Sequence, residues 1–371
     1  MAELYIGLMS GTSLDGVDGV LVAFEGEKLN VLAYSTAPFS QVLIQELMAL
    51  NSPGENELHR GALAANALVR VYARVVEDLL KQTGVARGQV TAIGAHGQTV
   101  RHQPQAFDGT GYTLQLNNPS LLAELVGIDV VADFRSRDVA AGGQGAPLVP
   151  AFHQALFGHS GSTVAALNIG GIANITILGP DLADDVLGFD CGPGNALMDA
   201  WCLKHLGRPY DAGGAWAASG SVHPDLLAAM LREPYFGQDA PKSTGRDLFN
   251  FTWLTAHLND FPSVSPADVQ ATLTELTASS CADCVSIYAP NSKLLIVCGG
   301  GAFNTHLMQR LQAHLPWLEV CTSQDKGLPP LQVEAAAFAW LARKTVRRET
   351  SSLQKVTGAK GARILGSIYP A

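Results

Sequence analysis

Three short apolar stretches open the chain, at residues 4–9, 17–24 and 29–37, and turn residues separate them. The second stretch alternates with a period of two and places Val17, Gly19 and Leu21 on one face, as in a half-buried strand. We therefore predict three β-strands. The polar, glycine-rich loop between the first two would join them as an antiparallel pair.

The rest of the first half alternates between helical and strand patterns. Apolar residues recur with helical spacing over residues 57–81, and Gly84 provides a helix stop. The other predicted elements are strands at 90–95, 114–116 and 130–132 and helices at 120–126 and 147–157. We expect the last of these helices to connect two domains.

A similar order of elements begins again at residue 162. An apolar stretch at 162–167, a glycine-rich loop at 168–174 and an apolar stretch at 175–178 repeat the strand, loop, strand order of the chain's start. The later predicted elements are a strand at 293–298 and helices at 196–205, 305–314 and 332–347. We expect two α/β domains, with the tail, residues 352–371, packed on the first, since its apolar segment needs a surface to cover it.

Composition narrows the functional classes. The chain has 371 residues, 47% hydrophobic and 15% charged, which suits two domains with large cores. A net charge of −9 without a basic run argues against nucleic acid, whose phosphates require clustered Lys and Arg. The sequence offers neither a run of 18 apolar residues for a membrane span nor a basic-flanked leader. Its six scattered cysteines favour free thiols in a cytoplasmic protein.

Three glycine-rich loops follow predicted strands and indicate a phosphate site. A Walker loop needs a lysine and a following helix, but Thr12 follows Gly11 and the next residues have strand periodicity. This first loop would therefore bind an anion through turn amides and hydroxyls, with an ordinary hairpin turn as the alternative. The loops at 168–174 and 299–301 favour the functional interpretation, because two hairpins and a glycine cluster suit a nucleotide held between two domains.

Carboxylates at two positions are candidate catalytic groups. Asp190 follows a short apolar strand and precedes a helix, where it can act as a general base; a capping or turn aspartate is the alternative. Glu334 lies in an otherwise apolar helix, so we expect it to be exposed, paired or functional. Asp199, further along the helix after Asp190, is expected to be a surface or capping charge.

Two further loops at strand ends carry side chains suited to ligands. The segment HGQT contains His96 and Thr99, and the segment ADFRSRD contains Arg135 and Arg137. Either arginine could form paired hydrogen bonds with a carboxylate or phosphate. A hydrogen-bonded loop histidine and a solvated surface ion pair are the alternatives.

Long motifs across the whole chain resemble those of the anhydro-N-acetylmuramic acid kinase family. They are IGLMSGTSLDGVDGVLV, GAHGQTVRH, DFRSRDVAAGGQGAPLVP, LNIGGIANIT, GFDCGPGNALMDAW, KSTGR and VEAAAFAWLA. The resemblance implies the sugar kinase/actin-type ATPase superfamily, with two duplicated actin/ribonuclease-H-like α/β domains, each with a mixed sheet flanked by helices. The domains would span residues 1–145 with the tail 346–371, and residues 146–345, with the nucleotide in the cleft between them.

The resemblance also implies a reaction. ATP and water would convert 1,6-anhydro-N-acetylmuramic acid into N-acetylmuramic acid 6-phosphate and ADP, in peptidoglycan recycling and amino-sugar catabolism. Asp190 matches the catalytic aspartate that activates water at C1, and Glu334 matches a second acidic residue near the sugar. His96 and Thr99 would neighbour the sugar, and Arg135 or Arg137 would bind its lactyl carboxylate. Mg²⁺ is implied, with ligands unknown.

The same resemblance assigns the ATP site to the three glycine-rich loops. The residues are Gly11, Thr12, Ser13, Leu14, Asp15, Gly16, Val17 and Asp18 in the first loop, Asn168, Gly170, Gly171 and Asn174 in the second, and Gly299, Gly300 and Gly301 in the third. A cytoplasmic homodimer is expected from the family. Cys191 departs from the threonine expected in many relatives, which would weaken any hydroxyl contact there.

Two other functions share parts of this pattern. An actin-like or chaperone-like ATPase would use the phosphate loops but would not need Asp190, Glu334 or the HGQT segment. A kinase for an ordinary sugar hydroxyl would use Asp190 to deprotonate that hydroxyl. A comparison of a reducing hexose with the anhydro sugar as substrate separates this kinase from the anhydro-sugar kinase.

Overall fold

The computed structural model describes residues 2–11, 14–159, 161–181 and 186–371. Its strands are β1 (Glu3–Met9), β2 (Gly16–Glu25), β3 (Lys28–Pro38), β4 (Val90–Ala95), β5 (Gln98–Pro104), β6 (Gly111–Leu116), β7 (Val130–Ala132), β8 (Val164–Ile169), β9 (Ile172–Leu178), β10 (Val186–Pro193), β11 (Leu294–Cys298), β12 (Glu319–Thr322) and β13 (Ser367–Tyr369). Its α-helices are α1 (Gln41–Ala49), α2 (Glu57–Thr83), α3 (Pro119–Val126), α4 (Ser136–Ala140), α5 (Val149–Phe157), α6 (Asn195–Leu206), α7 (Ala215–Ser219), α8 (Pro224–Leu231), α9 (Phe251–Leu258), α10 (Pro266–Tyr288), α11 (Thr305–His314), α12 (Val333–Val346) and α13 (Gln354–Thr357).

The chain forms two compact units, one ending at Ala155 and rejoined by Gln332–Ala371, the other spanning Leu156–Leu331. In the first unit a six-stranded sheet has the order β13-β7-β4-β1-β2-β3. The three opening strands are confirmed, because β1, β2 and β3 form antiparallel pairs. The strands β4 and β7 extend the sheet in parallel, and the tail returns to it as β13, antiparallel to β7.

The second unit repeats this sheet. Its five strands have the order β10-β9-β8-β11-β12, with β8, β9 and β10 antiparallel and β11 and β12 parallel to β8. The parallel and antiparallel pairings of these five strands match, in order, those of β3-β2-β1-β4-β7 in the first sheet. The structure is therefore a duplicated α/β fold with two mixed sheets flanked by helices, as the sequence predicted.

Helices pack on both faces of the first sheet. Gly19 faces α2, where an added Cβ would lie 2.3 Å from Val75. On the other face α12 approaches the backbone so closely that a Cβ on Gly7 would lie 1.8 Å from the Ala335 carbonyl oxygen, and one on Gly94 would lie 2.0 Å from that of Phe338. The predicted domain bounds assigned α12 to the second domain; it belongs to the first unit because these glycines let it pack there.

The longest helix of the second unit, α10, was missed by the sequence analysis. Residues buried in the core lie on every side of this helix over most of its length, so it lacks the one-sided apolar stripe that marks a surface helix. The six cysteines all lie in the described ranges, are buried and form no disulfide. Cys281 and Cys284 lie in α10, and Cys191 belongs to the same core cluster. No helix in the described ranges is both long enough and apolar enough to cross a membrane.

Candidate active site

The first glycine-rich loop joins β1 to β2 as predicted. Thr12 and Ser13, both expected to bind ATP, lie outside the described residues. Leu14 has a φ of 59°, a left-handed conformation that is uncommon for a non-glycine residue and that clusters at ligand sites. Gly16 has no room for a side chain, because a Cβ would lie 2.4 Å from the Ala37 carbonyl oxygen. The Nε2 amide of Gln98 donates to the carbonyl oxygen of Gly11 at 3.0 Å.

Two carboxylates lie where this loop enters β2, Asp15 just before the strand and Asp18 at its start. Val17, expected in the ATP site, has its side chain fully buried in the core, so only its backbone is available to a ligand. Asp18 lies on the opposite face and accepts a hydrogen bond from the Tyr34 hydroxyl. Burial raises the pKa of Asp18, and the negative charge of Asp15 adds to this effect.

Glu334 occupies the first turn of α12 and faces the same carboxylates. Burial raises its pKa to about 6; Asp18 and Asp15 reinforce the rise, and the positive charge of Arg135 opposes it. The close packing of α12 on Gly7 and Gly94 fixes this position. The first unit thus brings together Asp15, Asp18, Arg135 and Glu334, which the sequence had assigned to separate ligands.

His96 and Arg135 form a pair at the end of β4. The Nε and Nη2 groups of Arg135 lie 3.1 and 3.0 Å from Nε2 of His96, and Nδ1 of His96 lies 3.3 Å from the Ser10 carbonyl oxygen. His96 therefore carries its proton on Nδ1 and accepts from the guanidinium through Nε2. Burial, helped by the positive charge of Arg135, lowers the pKa of His96 to about 3, so the imidazole is neutral at physiological pH.

Arg135 is also held from its other side. Its Nη1 donates to the Gly145 carbonyl oxygen at 2.9 Å, and burial lowers its pKa to about 10, which leaves it cationic. The fully buried Asp138 accepts from the Gly145 amide and from the Thr357 hydroxyl, each at 2.8 Å. The sequence analysis missed Asp138, although it lies within the segment DFRSRD.

The two remaining residues that the sequence predicts to bind the substrate differ in solvent exposure. Arg137, unlike Arg135, is exposed on the short helix α4. Thr99 lies half-buried in β5, and its hydroxyl accepts from the Nε2 amide of Gln115 at 3.2 Å. The structure therefore places Arg135, and not Arg137, beside His96 and Glu334.

In the second unit the second and third glycine-rich loops meet. The turn Gly170–Gly171 joins β8 to β9, with Asn168 paired to Asn174 across the strands. Its two carbonyl oxygens accept from the amides of Gly194, Asn195 and Ala196 at 2.8–3.2 Å, which ties the turn to the start of α6.

The third loop packs directly on the second. A Cβ on Gly299 would lie 2.4 Å from Oδ1 of Asn168, and one on Gly301 would lie 2.4 Å from Ile169. Gly299 also has a φ of 78°, so a side chain is excluded by conformation as well as by space. Gly300 lies nearby, where an added Cβ would be 3.4 Å from Nδ2 of Asn195.

Asp190 lies on β10 opposite Asn174. Its Oδ2 accepts from the Ser243 hydroxyl at 2.9 Å and from the Thr244 amide at 3.0 Å. Its Oδ1 accepts no hydrogen bond from any residue in the described part of the chain. Burial raises the pKa of Asp190, and the bonds from Thr244 and Ser243 partly oppose the rise.

The loop that holds Asp190 is residues 242–246, the motif KSTGR, to which the sequence analysis assigned no separate role. The Asp190 amide donates to the Lys242 carbonyl oxygen at 3.0 Å, and the Tyr235 hydroxyl donates to the Asp190 carbonyl oxygen at 2.7 Å. One oxygen of the carboxylate is thus fixed, and the other is available to a water molecule or a substrate proton.

Comparisons with known proteins identify the family of the chain. A profile of the family described as anhydro-N-acetylmuramic acid kinase matches residues 3–371. Curated proteins named anhydro-N-acetylmuramic acid kinase are 70% identical in Albidiferax ferrireducens, over 100% of both chains, and 66% identical in Variovorax paradoxus, over 100% of this chain and 99% of that protein. A third, from Cupriavidus pinatubonensis, is 59% identical over 99% and 98% of the two chains. The chain therefore belongs to the anhydro-N-acetylmuramic acid kinase family.

Proposed function

We propose that this protein uses ATP and water to convert 1,6-anhydro-N-acetylmuramic acid into N-acetylmuramic acid 6-phosphate. It is a sugar kinase, a phosphotransferase with an alcohol group as acceptor. The observation that carries the coupled hydrolysis is the carboxylate of Asp190, which has one oxygen fixed by two donors and the other available. A base held in this way suits activation of a water molecule.

Asp190 would take a proton from water as that water attacks C1 of the sugar. The C1–O6 bond breaks, O6 attacks the γ-phosphorus, and ADP leaves with the electrons of the broken P–O bond. No general acid is required at O6, because the phosphoryl group receives the negative charge of the leaving oxygen. The raised pKa of Asp190 strengthens it as a base.

The first unit supplies the groups that would bind the sugar. Arg135 keeps two N–H groups beyond those that contact His96 and Gly145, and these could pair with the lactyl carboxylate. The exposed Arg137 lacks comparable support. Glu334, with a pKa of about 6, would orient water or a sugar hydroxyl. Thr99 would add a hydroxyl contact.

The glycine-rich loops of each unit would bind ATP through backbone amides. Mg²⁺ bound with the nucleotide would neutralise phosphate charge during the transfer. Oxygen ligands suit this ion, and Asp18 and Asp15 provide carboxylates whose mutual repulsion a cation would relieve. The described residues contain no group of three or more His, Cys, Asp or Glu that could hold a metal ion.

Two further expectations belong to this proposal. The protein would act in the cytoplasm as a homodimer without a nucleic-acid partner. Light scattering after gel filtration tests the dimer directly, and a mass equal to one chain of 39.0 kDa would contradict it.

The decisive experiment is incubation with Mg-ATP and 1,6-anhydro-N-acetylmuramic acid in ¹⁸O-labelled water. The product should carry a phosphate at O6 and the label at C1. Phosphorylation of a reducing sugar with no reaction of the anhydro sugar would support the ordinary sugar kinase. ADP without sugar phosphate would support an ATPase.

A further inference from the structure

A cationic side chain that the mechanism above does not use lies over the second phosphate loop. The guanidinium of Arg246 has Nη2 and Nε at 3.2 and 3.5 Å from the point that a Cβ on Gly171 would occupy. Ala196, at the start of α6, lies 3.7 Å from the same point. Arg246 is exposed, and no hydrogen bond joins its guanidinium to another residue of the described part of the chain. The group therefore has its donors available for a ligand.

The loop beneath this guanidinium presents backbone donors. The carbonyl oxygens of Gly170 and Gly171 are occupied by the amides that begin α6. The amides of the same two glycines donate to no other backbone group within the described ranges. Adjacent amides in a glycine turn form a concavity that binds anions, and a neighbouring guanidinium adds the full charge that amides lack.

The sequence explains why such a cation is needed. None of the three glycine-rich loops, residues 11–18, 168–174 and 299–301, contains a lysine or an arginine. Phosphoryl transfer spreads negative charge over the γ-phosphate oxygens, and kinases and NTPases usually place a lysine or arginine against them. In this chain the cation would come from a loop that is distant in sequence.

A carboxylate lies within electrostatic range of the guanidinium. Asp199 projects from α6 one turn after Asn195, and the charge of Arg246 favours its ionised form, whereas burial raises its pKa to about 7. Asp199 is half-buried on α6, whereas the sequence suggested a surface or capping charge. The other nearby carboxylate, Asp211, accepts from the amides of Trp216 and Ala217, each at 2.9 Å.

We infer that Arg246 binds the phosphate groups of ATP at the Gly170–Gly171 turn and stabilises the charge that develops during phosphoryl transfer. The loop Ser243–Arg246 thereby serves both halves of the reaction, because Ser243 and Thr244 fix the base Asp190 while Arg246 meets the nucleotide. This inference deepens the proposed function and uses its assignment of the turn to ATP.

The first test measures nucleotide binding without the sugar. Isothermal titration with ATP, ADP and adenosine should show that Arg246→Gln weakens ATP binding at least about 10-fold and leaves adenosine binding unchanged, because only the phosphates contact the arginine. The exposed Arg208→Gln is the matched control and should bind all three ligands like the wild type. Equal ATP affinity in Arg246→Gln and Arg208→Gln would overturn phosphate binding by Arg246. This test remains informative even if the anhydro sugar proves not to be the substrate.

The second test measures turnover and its chemical rescue. Arg246→Ala should lower kcat about 10²-fold or more, as for loss of a charge-stabilising donor, and free guanidinium at millimolar concentration should restore part of it. Arg208→Ala should keep full activity and show no rescue. A folded Arg246→Ala variant, with an unfolding transition like the wild type, that loses less than twofold in kcat would overturn the role in transfer.

Discussion

Arg135 donates from both Nε and Nη2 to the single nitrogen Nε2 of His96, at 3.1 and 3.0 Å. A protonated imidazole has no lone pair to accept these bonds, so the contact requires the neutral tautomer with its proton on Nδ1. His96 is consequently a fixed acceptor that orients the guanidinium. If His96 lies near the sugar, as the sequence predicts, it would act there through Arg135.

The two arginines of the segment DFRSRD should differ sharply in their effect on sugar binding. Arg135→Lys should raise KM for the anhydro sugar about 10–100-fold, because lysine cannot reproduce a planar pair of hydrogen bonds to a carboxylate. ATP binding should be unchanged. The matched variant Arg137→Lys should stay within about twofold of the wild type, since Arg137 is exposed. Steady-state kinetics with each substrate varied in turn checks both; equal effects of the two changes would remove Arg135 from the carboxylate site.

Loss of the base Asp190 should stop turnover but leave nucleotide binding intact. Asp190→Asn keeps the size of the side chain but cannot accept a proton, so kcat should fall about 10²–10⁴-fold while ATP affinity measured by titration is retained. Near-normal turnover in this variant would exclude Asp190 as the base.

The hydroxyl of Ser243 should tune the pH dependence of the reaction. Its hydrogen bond lowers the pKa of Asp190, so Ser243→Ala should raise that pKa further. Because the base works only when ionised, the acidic limb of the kcat/KM profile should move to higher pH. A profile that stays in place, or moves to lower pH, would contradict this role of the bond.

Glu334 should reduce the stability of the unliganded protein at neutral pH. Its pKa is raised from 4.5 to about 6 in the folded state, so the folded protein holds this proton more tightly than the unfolded chain does. The stabilisation from the bound proton is complete below pH 4.5 and is lost as the pH rises through 6. Glu334→Gln should therefore raise the free energy of unfolding at pH 8 by roughly 1–2 kcal/mol relative to the wild type, with a smaller gain at pH 5. Urea unfolding of both proteins at the two pH values provides the check, and a variant less stable than the wild type at pH 8 would contradict it.

The glycines under α12 should be intolerant of any side chain. Gly7→Ala would place a Cβ 1.8 Å from the Ala335 carbonyl oxygen, so the helix must move, at a cost of about 3 kcal/mol or more. Gly88→Ala is the control, since no atom lies within 4 Å of the added Cβ. Urea unfolding should separate the two variants. Activity should also fall in Gly7→Ala, because α12 carries Glu334. A Gly7→Ala variant as stable as the wild type would show that the fold does not need this close contact between Gly7 and α12.

The periodicity of the chain predicted its strongest elements well. The helical spacing of residues 57–81 predicted α2 because that helix buries only one side. The alternation at residues 17–24 also predicted β2, although both faces of that strand are buried and only Asp18 and Glu25 escape full burial. The same criterion failed for α10, which is buried on every side and so has no stripe to detect. The faint repeat of strand, loop, strand at residue 162 proved to be a duplicated sheet, since backbone pairing repeats where side chains have diverged.

The sequence by itself determined the family, the duplicated α/β fold and the residue types of the candidate site, because long motifs and local periodicity are properties of neighbouring residues. Only the tertiary structure distinguished Arg135 from Arg137, which are two positions apart but differ in burial and partners. It also brought Ser243 and Thr244 to Asp190, and Asp18 to Glu334. It placed Arg246 over Gly171, which lies 75 residues earlier in the chain (246 minus 171). Such contacts join segments far apart in the chain, and burial, partner geometry and pKa arise only once those segments pack together.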